Sequence, residues 1–155
     1  APSYIEALKA LKRGEIIGVF PEATISRTFE LKEMKSGVVR LAMDSGTPVI
    51  PTIIWGSQRI WTKRQKRNFK RNNFPITVAI GTPYEIASDA DIEVEMAKLR
   101  QKMSELLTLA QSNYPDIPNG EPWAPVRLGG TAPTAKELEA IIEEEKRQAE
   151  TRKKK

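Results

Sequence analysis

The chain has 155 residues, 39% of them hydrophobic, and 25 Lys and Arg against 20 Asp and Glu for a formal charge of +5. That suits one ordinary domain with a modest core and favours an anionic partner: a phosphorylated substrate, a membrane surface or nucleic acid. There is no cysteine and no histidine, which excludes a disulfide scaffold and thiolate metal sites and removes the commonest general acid or base near neutral pH.

The opening residues, APSYIEALKALKRG, lack an initiator methionine and a signal-peptide apolar core, and read as the middle of a folded protein; sequence upstream is expected. Ser3 and Glu6 have capping-box spacing, and Ile5, Leu8 and Leu11 fall on one helical face until Gly14, predicting a helix over 2–13. Ile16-Ile17-Gly18-Val19-Phe20 is apolar on both faces, the pattern of a strand buried in a parallel sheet, and Pro21 closes it. After a polar segment, Val38, Leu41 and Ala42 mark a short helix ending at Gly46. Val49-Ile50-Pro51-Thr52-Ile53-Ile54 predicts a second strand, which must be bulged, at an edge, or begin after its proline.

Ile76–Ile80 predicts a third strand, stopped by Gly81-Thr82-Pro83. Ile92, Met96, Leu99, Met103, Leu106, Leu107 and Ala110 recur at helical spacing, predicting one long amphipathic helix from Asp91 to Ser112 that covers the sheet. The alternation of helices and strands points to an α/β fold, a mixed and largely parallel sheet flanked by helices. Residues 1–114 form the α/β part. Residues 115–133, rich in proline and glycine, read as an extended connector without its own core. Thr134 and Glu137 open a charged helix with a narrow apolar stripe, Leu138, Ile141 and Ile142, running into a frayed basic tail within 134–155. The longest apolar runs fall far short of the about 20 residues that span a bilayer.

The polar turn Phe20-Pro21-Glu22-Ala23-Thr24-Ile25-Ser26-Arg27, between the first strand and the second helix, lies where an α/β sheet commonly binds ligands. It offers a carboxylate (Glu22), two hydroxyls (Thr24, Ser26) and a cation (Arg27), with Lys32, Lys35 and a helix start beyond them for a phosphate. Composition alone favours a solvated turn with a helix cap.

FPEATISR, followed by Lys35-Ser36-Gly37, Leu41-Ala42 and Val49-Ile50-Pro51-Thr52-Ile53, resembles the third and fourth motif blocks of the PlsC-type glycerolipid acyltransferases, in the same order and spacing, over roughly residues 1–86. The resemblance implies transfer of a fatty acyl group from acyl-CoA or acyl carrier protein to a free hydroxyl of lysophosphatidate, glycerol phosphate or a related lysolipid, without a further cofactor and without a metal. Glu22, Thr24 and Ser26 map onto the glutamate, threonine and serine of the third block, which holds the acceptor phosphate. Ala23 stands where the family usually has glycine, and Ile25 where it usually has a phosphate-binding arginine. Arg27, Lys35 or Arg40 is expected to supply that charge, Arg27 first. The family's first block, a histidine followed four residues later by an aspartate, has no counterpart here. The chain is therefore expected to be the C-terminal portion of such an enzyme, inactive by itself for want of its base. An open sheet edge then invites dimerisation of the fragment.

From Arg59 to Arg71 the chain holds Arg59, Lys63, Arg64, Lys66, Arg67, Lys70 and Arg71 with no acidic residue, beside Trp55, Trp61, Phe69 and Phe74. A membrane-surface loop, a nucleic-acid patch with stacking aromatics and a merely solvated loop all fit that composition. With the resemblance, contact of Arg59, Trp61, Lys63, Arg64, Lys66 and Arg67 with an anionic membrane leads. The protein is then expected on the cytoplasmic side, peripherally associated, and no nucleic acid is expected. Two alternatives remain: a basic nucleic-acid-binding module, and an inactive interaction domain on an acyltransferase scaffold.

Overall fold

A computed structural model of the chain describes residues 2–63 and 65–153. It is a mixture of helices and one small sheet: α1 (Pro2–Lys12), α2 (Gly37–Ser45), β1 (Thr52–Trp55), β2 (Thr77–Ile80), α3 (Ile92–Ser112) and α4 (Ala135–Lys153), with two short 3-10 turns at Ser57–Arg59 and Val126–Leu128.

α3 is the long helix that the apolar spacing predicts. Asp91 caps it, its Oδ1 accepting from the Val94 N–H at 3.0 Å, and Glu93 and Glu95 in the first turn complement the helix dipole. Its buried face, Leu99, Met103, Leu107 and Ala110, packs on Ile53 and Trp55 of β1 and on Val39 and Ala42 of α2 in one core. α2 ends as Gly46 turns left-handed (φ 68°) and returns its N–H to Ala42 O at 2.8 Å. α1 rests on α2, and the Tyr4 hydroxyl donates to Asp44 across that contact at 2.6 Å. Partial burial and this bond push the Tyr4 phenol up to about 12, so it stays protonated and keeps donating at any ordinary pH.

The sheet is not largely parallel. It has two strands, β1 and β2, paired antiparallel with Ile53 opposite Ala79 and Trp55 opposite Thr77. β1 begins after Pro51, which has no N–H to donate; Val49 instead makes an isolated bridge to Tyr84, exchanging both backbone bonds. The third predicted strand agrees with β2. Ile16–Phe20, predicted as a buried strand, is irregular, with Ile16 92% and Phe20 83% exposed. A strand apolar on both faces needs a paired neighbour and a layer on each side, and among the described residues nothing pairs with it. The sheet likewise has one clothed face: α3 covers Ile53 and Trp55, while Ile54, Val78 and Ile80 look outward, half-exposed or more.

Residues 115–133 pack onto this core. Trp123, Ala124 and Ala132 are buried in it, and Tyr114 ties the pieces together. The Tyr114 ring meets Trp55 and Trp123 edge-on, and its hydroxyl donates to Pro75 O at 2.7 Å while accepting from Arg59. α4 begins with the predicted capping box: the N–H and hydroxyl of Thr134 both donate to Glu137, holding its carboxyl below the usual range, and the Glu137 N–H returns to Thr134. Lys154 and Lys155 of the basic tail lie outside the described residues.

Gly56 closes the Tyr114 junction. Its φ of 102° suits glycine alone, and an added Cβ would fall against Pro75 O and within 2.8 Å of the Tyr114 hydroxyl. Gly56→Ala is therefore expected to cost about 2–4 kcal/mol, the sum of left-handed strain and overpacking. Urea denaturation reads this directly, and a loss below about 1 kcal/mol would mean the junction yields.

Candidate acceptor-binding turn

The turn after Phe20 is built as a closed unit. Ala23 N–H donates to Phe20 O at 3.1 Å, and Lys35 N–H donates to Pro21 O at 2.8 Å, bringing the start of α2 back against the turn. Glu22 reaches across it: Oε2 accepts from the Lys32 N–H at 2.8 Å, so this carboxylate shapes the loop. Ser26 Oγ donates to Glu30 O at 2.7 Å and lies 3.1 Å from Thr28 Oγ1, which itself accepts from the Glu30 N–H. Thr24 and Ile25 are exposed on the outside.

Three arginines from distant parts of the chain or its turn hold this loop. Arg100 of α3 donates to Lys32 O at 2.7 Å and Leu31 O at 3.5 Å. Arg127 grips both oxygens of Glu30 and also reaches Gln111. Arg27, only 14% exposed at its side chain, forms a two-pronged pair with Glu145 of α4, both contacts at 3.2 Å. Of the cations singled out in the sequence, Lys35 and Arg40 stand exposed near the start of α2, Arg40 donating to Ser36 Oγ at 3.2 Å. The Ser36 side chain makes no capping bond, leaving the first N–H groups of α2 without a side-chain partner from it. The turn carrying Glu22 and the start of α2 are thus drawn together, Ser26 bonds within its own loop, and Arg27 is turned toward α4. Thr28, Glu30, Arg100, Arg127 and Glu145 were not singled out in the sequence; a polar residue after the motif, such as Thr28, is the one signal there was.

The basic stretch divides in two. Arg59 is not one of its exposed cations: it lies between the rings of Phe74 and Trp123, 4.1 and 4.6 Å from their centres, and pairs with Asp116. Lys63, Lys66, Arg67, Lys70 and Arg71 are exposed, Arg67 stacks on Trp61 at 4.3 Å, and Trp61 and Phe69 are 53% and 71% exposed. Arg64 lies outside the described residues. No helix of the described residues is long and apolar enough to cross a membrane.

Ala23 has φ 56°, the left-handed region that glycine enters freely and alanine enters at about 1 kcal/mol or more. Ala23→Gly is expected to raise stability by about 0.5–1 kcal/mol, the strain relieved less the greater chain freedom of unfolded glycine. A lowered midpoint in denaturation would contradict that conformation.

The acyltransferase family model matches residues 1–55, which end with the last residue of β1 and enclose the whole turn. A 1-acyl-sn-glycerol-3-phosphate acyltransferase of Borreliella burgdorferi is 29% identical over 63 residues, 41% of this chain and 25% of that protein. The enzyme of that name from Cocos nucifera is 29% identical over 84 residues, 51% of this chain and 26% of its own length. That of Limnanthes douglasii is 40% identical over 60 residues, 39% of this chain and 20% of its own. The chain thus spans about a quarter or less of the length of these relatives. No solved structure gives a significant match. Residues 1–55 thus match the acyltransferase family model, and the chain is similar over 60 to 84 residues to three 1-acyl-sn-glycerol-3-phosphate acyltransferases.

Proposed function

We propose that this chain supplies the acceptor side of an acyl transfer from acyl-CoA or acyl carrier protein to the free hydroxyl of lysophosphatidate or a related glycerolipid. What carries the reading is the acyltransferase match over residues 1–55, which contain the turn that Glu22 closes. In the reaction the acceptor hydroxyl attacks the thioester carbonyl, an ester bond forms, the carbon–sulfur bond breaks, and the thiolate leaves with the proton. A base must take that proton from the hydroxyl. The sequence holds no histidine, so we assign the base to residues outside these 155. Within them, Glu22 is a positioning residue, and Arg27, Lys35 and Arg40 are the cations for the acceptor phosphate. A charged hydrogen bond to phosphate contributes about 1.5–3 kcal/mol.

The purified chain is expected to bind lysophosphatidate monomers more tightly than lysophosphatidylcholine, to lose about tenfold in affinity on Arg27→Ala, and to release no thiol from acyl-CoA. Equal affinity for the two lipids overturns the phosphate reading. Thiol release coupled to acylation overturns the assignment of the base.

The exposed loop around Trp61 supports a second element of the same reading, peripheral docking on an anionic membrane. Exposed lysines and arginines at 63, 66, 67, 70 and 71 flank the exposed rings of Trp61 and Phe69, and each cation near such a surface adds about 1 kcal/mol. Sedimentation with phosphatidylcholine vesicles, with and without anionic lipid, is expected to recover the protein only with the anionic set. Paired Lys66→Glu and Arg67→Glu substitutions are expected to abolish that recovery, and equal recovery with both vesicle types sinks the docking surface.

A further inference from the structure

The Arg27–Glu145 pair joins the turn to α4. Between residues 135 and 152 of α4 no residue is buried. Leu138, Ile142 and Glu145 are the half-buried positions, one helical stripe whose far end is the contact with Arg27. Within the helix, Gln148 and Arg147 bond to Glu144, and the Thr151 hydroxyl donates to Arg147 O. The helix start is fixed by its own capping box, so α4 does not need the dock in order to be a helix. The turn does not need α4 either, since Glu22, Arg100 and Arg127 secure it from elsewhere.

Two guanidinium nitrogens on two carboxylate oxygens is the geometry with which an arginine also takes a phosphate monoester. Glu145 thus stands where such a phosphate would stand, at the end of the run Glu143-Glu144-Glu145. We propose that α4 is a displaceable strap: Glu145 occupies Arg27 in the free protein, and a phosphate monoester on the acceptor lipid takes its place and releases the helix. The proposal rests on the acceptor-phosphate reading above. A dianionic phosphate is the stronger partner for the same fork, so the exchange runs toward the ligand once it is present.

Calorimetric titration with glycerol 3-phosphate separates the two ideas. Glu145→Gln, which keeps size and helix propensity but gives up the charge, is expected to bind about five times more tightly than the unaltered chain, and Glu144→Gln to bind as the unaltered chain does. In the unaltered chain, amide hydrogen exchange across 135–152 is expected to speed up on addition of glycerol 3-phosphate. If Arg27→Ala abolishes binding while Glu145→Gln leaves it unchanged and α4 exchange does not respond, the strap is overturned and the acceptor site stands. If Arg27→Ala binds as tightly as the unaltered chain, the acceptor reading and the strap fall together.

Discussion

One apolar face of α3 organises the molecule. Leu99, Met103, Leu107 and Ala110 are each under a tenth exposed, and they share one core with Ile53 and Trp55 of β1, Val39 and Ala42 of α2, and Trp123 and Ala124 of the following segment. Side chains of this size stabilise by roughly 1.5–3 kcal/mol each when buried. A two-stranded sheet has no independent stability in water, so β1 and β2 exist as a pair because α3 clothes one side of them. The turn after Phe20 inherits its position from the same helix. Arg100, on α3, holds the carbonyls of Leu31 and Lys32, and the Lys32 N–H in turn donates to the Glu22 carboxylate.

Around that turn, arginine is used mainly to hold backbone and carboxylates in place. Arg100 and Arg127 are committed to internal partners, two carbonyls and Glu30, as Arg59 elsewhere is to Asp116. Partly exposed pairs such as Arg127 with Glu30 contribute at most about 1 kcal/mol each; their value lies in geometry, because they fix a loop that has left-handed residues at Ala23 and Phe29. The formal positive charge of the chain is thus a poor guide to where an anion binds. Among the exposed cations are Lys35 and Arg40 at the start of α2 and Lys63, Lys66, Lys70 and Arg71 along the loop after Trp61.

The helices were legible because their signals are local. Asp91 before an apolar stripe, Gly46 after one, and Thr134 three residues before Glu137 each announce a helix end by chemistry within one turn. The sheet was not, since apolar runs identify strands without saying what lies beside them. Ile16–Phe20 has the composition of a buried strand and no described neighbour. The antiparallel pairing does have a sequence signal: residues 56–76 contain no helical periodicity, and a parallel pair needs a crossover that is usually a helix. The proline- and glycine-rich stretch hid the buried Trp123 and Ala124 for a similar reason, because composition reports an average and packing depends on single residues. At the turn, the motif located Glu22 and Ser26, while the partner of Arg27 lies 118 residues away and no local pattern can reach it.

The three tryptophans occupy two unlike settings. Trp55 and Trp123 are buried on either side of Tyr114, Trp123 under the Arg59 guanidinium, whereas Trp61 projects to solvent with Arg67 against its ring. The protein consequently carries two intrinsic fluorophore populations: a blue-emitting pair sheltered from quenchers that reports the junction of core and C-terminal segment, and a red-emitting single ring that reports the basic loop. Unfolding and surface engagement are optically separable in the unlabelled chain.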